Sequence, residues 1–408
     1  MVAGTAGEGA PADLKRAPPL IILILATMAS TFALNVFMPS MPGIARYFET
    51  DFATVQLTLT LFLVGVAFGQ LLYGPISDRF GRRPVLMAGM VIYLVASIGA
   101  VFATSIEMLI AARMLQALGA CSGMVLARAM VRDVYARDRA ASMLGYVTMA
   151  MAVAPAIAPA IGGQLEVWFG WRASFVLVAG FAVLLILLCL PLLHETHFDR
   201  IRRFDLTSML ASYASLVRSP LYAGYTLHVA FSAGAFFAFL GGAPYVVIEL
   251  LGASPRDYGL YFLLVAGGYS VGSFVAGRLS QRVGVDGMIL LGVGVALVGV
   301  GAMAALALAG YFTLAAIFFP VSLISIGNGI SQPNGIAGAV SVNPRIAGAA
   351  AGLLGFLQMA MGGVLTVILG QILTDNQMPL IVIIAVSTLL ALACQLWVLA
   401  QKRRAGGG

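Results

Sequence analysis

Twelve apolar runs succeed one another along the chain, beginning near Pro18, Val55, Pro84, Met108, Ala141, Trp171, Pro220, Tyr258, Gly287, Phe312, Ile346 and Pro379. Each is about twenty residues long, the length a helix needs to cross a hydrocarbon core of ~30 Å. Backbone polar groups find no partner in lipid, so such runs span as helices. The pattern predicts an all-α membrane protein of twelve transmembrane helices. Connections are short except at 194–219, where the chain turns polar and basic with Arg200, Arg202, Arg203 and Arg218. That break predicts two six-helix bundles at 18–193 and 220–400, a cytoplasmic linker at 194–219, and cytoplasmic tails at 1–17 and 401–408. Lys15 and Arg16 before the first run resemble a signal peptide, but the run continues to Met38 and eleven similar ones follow, so it is expected to remain as the first helix.

Composition agrees with that pattern: 61% of the 408 residues are hydrophobic and 10% are charged, too few to cover a soluble fold of this size. The net charge of +7 is informative through its placement. Of the 23 Lys and Arg, all but Arg46, Arg113, Arg172 and Arg256 fall on the side of the membrane that holds both termini. Basic residues flanking helices are retained in the cytoplasm, which predicts cytoplasmic termini in a bacterial inner membrane. The charge is therefore a topology signal, and nucleic acid is not an expected partner.

An offset of 203 positions places Gly74 on Gly277, Arg79 on Arg282 and Gly81 on Gly284, each pair following the second run of its half. Two parallel repeats about an axis normal to the membrane would place a substrate site between them.

Enzymatic and cofactor chemistry find little support. His194 and His197 flank Glu195 without zincin spacing, Gly292, Gly294 and Gly299 lack the strand context of a dinucleotide loop, and no phosphate-binding loop is present. Cys121, Cys189 and Cys394 lie in apolar runs without ligand spacing. The expectation is a non-enzyme with no cofactor and no metal.

Three motifs carry more. Gly74-Pro-Ile-Ser-Asp78-Arg79-Phe-Gly81-Arg82-Arg83-Pro84 joins the second and third runs. Its glycines permit a tight turn, and one acid among three arginines can exchange charge-assisted bonds between conformations. The segment resembles the signature loop of the major facilitator superfamily, G-x-x-x-D-R-x-G-R-R. In the fourth run, Arg113-Met-Leu-Gln116-Ala-Leu-Gly119 is similar to the drug/proton antiporter pattern R-x-x-Q-G-x-G, with Ala117 replacing a glycine. In the fifth, Gly145, Pro159, Gly162 and Gly163 match the antiporter pattern G-(x)8-G-(x)3-G-P-x-x-G-G, with alanine at 154 and 158, and Pro155 and Pro159 suit a hinge or a proton seal. With Asn35-Val-Phe-Met-Pro39-Ser-Met-Pro42 and Val131-Arg132-Asp133-Val-Tyr135, the chain resembles Bcr/CflA-type multidrug exporters. The resemblance implies the major facilitator fold, two pseudo-symmetric six-helix bundles that act as a monomer. It also implies export of small amphipathic drugs or metabolites by alternating access, with protons as the coupling ion.

One position departs from that family. The carboxylate such exporters carry four residues before the first-helix proline is Asn35 here, and an amide has no proton to exchange. Every acid lies near a run end or in a connection, which leaves Arg113 as the charged side chain well inside the core. At ~1.5 Å per residue, Asn35 and Arg113 lie at similar depth, roughly 26 and 21 Å from the inner surface. They are expected to meet in the central cavity with Gln116 one turn beneath. His228, about eight residues into the seventh run, is the core group whose ordinary titration range suits a proton carrier. Gln358, Asn328, Gln332 and Asn334 are candidate polar contacts, with Phe231, Phe236, Phe237, Phe239, Tyr261, Phe262 and Tyr269 as aromatic ones. The missing acid keeps a second reading open: an importer or facilitator of a small anionic or neutral solute.

Overall fold

The computed structural model describes residues 17–135, 137–198 and 206–406. Each apolar run becomes a helix: α1 Leu20–Val36, α2 Phe52–Phe80, α3 Arg82–Val101, α4 Ile106–Val134, α5 Arg137–Phe169 and α6 Arg172–Leu192 in the first half. The second half comprises α7 Pro220–Pro244, α8 Pro255–Val283, α9 Val285–Leu308, α10 Leu314–Ser341, α11 Ala347–Ile372 and α12 Met378–Gly406. Among the described residues eleven spans are long and apolar enough to cross a membrane, the first combining α1 with the short helix Met41–Tyr47, and the 33-residue α5 is a further long helix beside them. Within the 194–219 stretch, Leu206–Val217 forms a helix of its own, and α12 runs through Gly406 into the segment expected as a tail.

Helices start where short polar side chains accept from the first free amides. Asp51 accepts from the Thr54 amide at 2.7 Å to begin α2, Ser105 caps α4, Ser219 caps α7, Thr313 caps α10, and Ser254 with Asp257 forms a reciprocal capping box on α8. The turns after α2 and α8 are the same device used twice. Gly81 (φ 98°) and Gly284 (φ 80°) take left-handed conformations, and their amides close onto the carbonyls of Ser77 and Ser280. Both pairs differ by 203 positions, so the weak repeat in the sequence is a repeat of backbone conformation.

Packing repeats as well. In the first bundle α1 lies against α5 and α6, and α4 against α2 and α3; in the second α7 lies against α11 and α12, and α10 against α8 and α9. Close approach depends on missing side chains: the Gly119 Cα sits against the Tyr93 and Gly89 backbone, and Gly292 and Gly327 bring α9 onto α10 in the same way. The two bundles meet along two seams, α2 with α11 and α5 with α8. Hereafter the end of the molecule that holds the α2–α3 turn and the α12 terminus is called the basic face, and the opposite end the far face.

Candidate functional site

Arg113 on α4 is wholly enclosed, at 0% exposure. Its Nη1 donates to the Ala33 carbonyl of α1 at 3.0 Å and to Gln116 Oε1 at 2.5 Å. Gln116 in turn donates to Ser97 Oγ at 2.8 Å, and Ser97 to the Tyr93 carbonyl at 2.6 Å. The guanidinium carbon stands 3.9 Å from the Phe37 ring centre and 4.3 Å from that of Phe62, with Phe175 at 5.9 Å. Ring faces and a carbonyl take the place of an anion, a cation–π arrangement strengthened by exclusion of water. Among the described residues Nε and Nη2 have no partner.

The anticipated meeting of Asn35 with Arg113 does not occur. Asn35 donates to the Thr31 carbonyl on its own helix at 2.7 Å, and its Oδ1 has no partner among the described residues. The α1 group that Arg113 reaches is the Ala33 carbonyl. Successive helical residues turn by about 100°, so positions two apart face nearly opposite ways. Depth along the helix was legible; azimuth was not.

His228 is enclosed on α7, with Nδ1 3.0 Å from the Ala391 carbonyl of α12. A carbonyl only accepts, so Nδ1 carries the hydrogen and Nε2 is left as an acceptor without a partner among the described residues, beside Gly335 of α10. Ser232 on the same helix donates to Asn328 Oδ1 of α10 at 2.7 Å, while Gln358 on α11 is half-buried. The aromatic positions divide. Phe237, Phe239 and Phe262 are core, the latter two packing with Tyr258 and Phe318, whereas Phe236, Tyr261 and Tyr269 keep some exposure. Tertiary packing claimed the first three for the bundle interior.

At the basic face Arg82 organises the α2–α3 turn. Its side chain bonds Asp133 of α4 at 2.9 Å, Asp78 at 2.6 Å and Ser77 Oγ at 2.5 Å. Its amide donates to Glu195 Oε1 at 2.9 Å, and the Arg83 amide to Oε2 at 3.3 Å, while Arg83 Nη2 reaches the Leu190 carbonyl. Arg79 projects over the Phe80 ring, and a side chain at Gly74 would meet open space. These partners belong to the first bundle, apart from Glu195 at the start of the linker. Asp133, quoted in the sequence only as part of the Val131–Tyr135 motif, and Glu195, noted only between two histidines, complete this site in a role the sequence did not assign them. The second bundle carries a centre of opposite sign: Asp286 accepts from Tyr225 at 2.6 Å, Gln395 at 3.0 Å and Lys402 at 2.6 Å. No motif marked it.

The α5 motif lies at the seams. Gly162 admits the Val36 carbonyl of α1, Gly163 admits the Pro255 carbonyl of α8, and the Pro159 carbonyl meets Gly259. Pro155 is half-buried in the same helix, and the surroundings of Gly145 lie outside the described residues.

Contacts between the bundles are concentrated toward the far face. There Arg46 pairs with Glu249, Phe52 packs on Tyr245 at 5.0 Å, and Gln56 donates to the Gly241 carbonyl at 2.9 Å. Deeper, Thr60 bonds Thr366 at 2.9 Å. Toward the basic face the cross-bundle bonds among the described residues thin to a 3.4 Å contact from Gln70 to the Gly355 carbonyl, beside a Phe68–Phe356 ring contact.

A family model described as Major Facilitator Superfamily matches residues 23–367. The chain is 29% identical over 390 residues to the chloramphenicol resistance protein of Pseudomonas aeruginosa, covering 93% of this chain and 90% of that one. It is 27% identical over 365 residues to a bicyclomycin resistance protein homolog of Haemophilus influenzae, covering 89% and 91%. Its fold is similar to that of a mutant form of the nucleoside transporter NupG, with a TM-score of 0.75 at 13% identity over 93% of this chain and 98% of the other.

Proposed function

Since the chain belongs to the major facilitator superfamily, we propose that it is a secondary active transporter that exports small amphipathic drugs or metabolites by alternating access, driven by proton antiport. The relatives named for chloramphenicol and bicyclomycin resistance support the drug class. The observation that carries the mechanism is the gradient of contact between the bundles among the described residues: bonded between α2 and the second bundle and closely packed between α5 and α8 toward the far face, and thinning toward the basic face. In this reading the basic face is cytoplasmic, which the arginine distribution supports. The structure then corresponds to a form closed outside, with its substrate path leading from the cytoplasm.

Rocking the bundles about the α2–α11 and α5–α8 seams exchanges that closure for one at the basic face. The Arg82 centre suits the second role: Asp78, Asp133 and Glu195 hold the turn against the first bundle in this form, and a rotated second bundle can compete for the same charges. Each proton returning inward supplies ~2.3 kcal/mol per 100 mV. Asn35 cannot carry that proton. His228, whose Nε2 is a buried acceptor without a partner among the described residues, is the group in the second bundle equipped to do so.

A second reading, import or facilitation of a small anionic or neutral solute, draws on the same amide at position 35. Energised inverted vesicles separate the two. An exporter accumulates chloramphenicol in the lumen, and a proton uncoupler abolishes it; an importer accumulates nothing. Transport with identical pH profiles in wild type and His228→Gln excludes the histidine as carrier.

A further inference from the structure

Glu166 stands near the far end of α5, one turn after Gly162 and Gly163 and just before the exposed Trp168 and Phe169. Exposed aromatics of this kind mark the membrane interface, so the residue lies where protons from the far-side medium arrive. Its carboxyl turns inward. Oε1 fills the space that a side chain at Gly43 would need, and Oε2 is buried without a partner among the described residues. No other carboxylate oxygen among the described residues is in that position. An ionised carboxylate so placed lacks compensation, whereas a carboxylic acid needs none.

The cation that could compensate it is close but engaged elsewhere. Arg46 lies three residues after Gly43 on the short helix Met41–Tyr47, and so on the face of that helix that the Glu166 carboxyl meets. Yet it pairs with Glu249 of the second bundle, in an open cleft of about 320 Å³ shared with Phe52, Tyr245 and the exposed Glu49. Other charged groups on the neighbouring elements have partners or lie outward. Arg172 of α6 donates to the Val101 and Ala103 carbonyls and to the Tyr47 hydroxyl, Asp257 of α8 closes its capping box, Arg256 and Glu107 are exposed, and Arg113 of α4 is caged by Phe37 and Phe62. α1 contributes no charge.

We propose that Glu166 is a proton-binding site that sets the far-face gate: protonated, it releases Arg46 to bridge to Glu249 and hold the bundles together; ionised, it draws Arg46 back and the bridge opens. The inference rests on the alternating-access reading and adds a direction to it. Far-side acid closes the far face, which returns an exporter to its loading form. Only a proton is exchanged, between Glu166 and the medium. The site is distinct from the α1 acid that this chain lacks, and it depends on Gly43, since a larger residue there would occupy the carboxyl's place.

The test uses the full chain in lipid nanodiscs with spin labels at Thr104→Cys and Asp375→Cys, exposed far-face positions on opposite bundles. Pulsed distance measurements run from about pH 8 to about pH 5, across the range in which a buried carboxyl can titrate. In wild type the short-distance population should grow on acidification, by up to about tenfold in the ratio of forms per pH unit within the titration range. Glu166→Gln should show the short distance at every pH, and Glu166→Asp should restore the pH dependence. A wild-type distance unchanged across the range, or a Glu166→Gln profile that tracks wild type, overturns the proposal. Chloramphenicol transport is scored in parallel: a chain that moves no drug while its gate still responds through Glu166 supports this site and refutes export.

Discussion

Arg113 and Phe37 meet face to face, the guanidinium carbon 3.9 Å from the ring centre. The arrangement keeps a full positive charge within the first bundle on neutral partners alone: rings, a backbone carbonyl and Gln116. Each desolvated cation–π contact is worth about 2 kcal/mol. Arg113→Lys keeps the charge but cannot lie flat between Phe37 and Phe62, and is expected to lower transport at least tenfold with protein levels unchanged. Normal transport in that variant, measured in inverted vesicles, would show that the planar cage is dispensable.

Because that charge has no acid beside it, and because the acids lie near the ends of the spans, the interior favours neutral or anionic substrates over cations. A unit charge ~12 Å away at an effective dielectric of ~20 changes affinity about tenfold. Wild type should therefore move chloramphenicol and fail to move tetraphenylphosphonium, and Asn35→Asp should gain the cation. Competition assays on the two proteins provide the comparison, and cation transport by wild type would contradict the electrostatic argument.

At the basic face, Arg82→Ala removes the shared partner of Asp78 and Asp133 from a largely buried position. Losing one side of a buried pair costs about 3–5 kcal/mol. The melting temperature in detergent should fall by several degrees, and Asp133→Asn combined with Arg82→Ala should lose less than the sum of the single changes. Strict additivity would mean that the two residues do not act as one centre.

The α5 glycines offer a steric test. A methyl at Gly162 would collide with the Val36 carbonyl, so Gly162→Ala must push α1 away from α5, whereas Gly180→Ala enters open space. The first substitution is expected to reduce stability and transport together and the second to change neither, as read by thermal melts and drug susceptibility in a pump-deficient host.

Asp51 lies outside the spans, and hydrogen bonds from the Thr54 side chain and amide hold its carboxyl below its ordinary value near 3.8. A depressed folded value gives stability that is present above the unfolded value and lost as pH falls through the folded one. Asp51→Ala should therefore cost about 1 kcal/mol near neutral pH, a typical cap contribution, and nothing once the medium is acid enough to protonate Asp51. Equal melting curves for the two proteins at neutral pH would remove the cap from the account.

The sequence by itself determined the number, order and approximate limits of the helices, because lipid compels each apolar run to satisfy its own backbone. It also determined the two bundles and the α2–α3 turn, whose glycine, arginine and acid spacing is local; the backbone of Gly81 and Gly284 follows directly from residue type. What it could not supply was azimuth and partner choice. Asn35 and Arg113 share a depth but face different sides of α1, Phe239 and Phe262 were drawn into the core rather than a cavity, and Asp286 found Tyr225, Gln395 and Lys402 from two distant helices. Glu166 shows the same division most sharply: in the sequence it is an acid near the end of a helix, and only the close fit of α5 against Gly43 turns its carboxyl away from water. Hydrophobic periodicity fixes where a residue lies along a helix, and only helix packing decides what it meets.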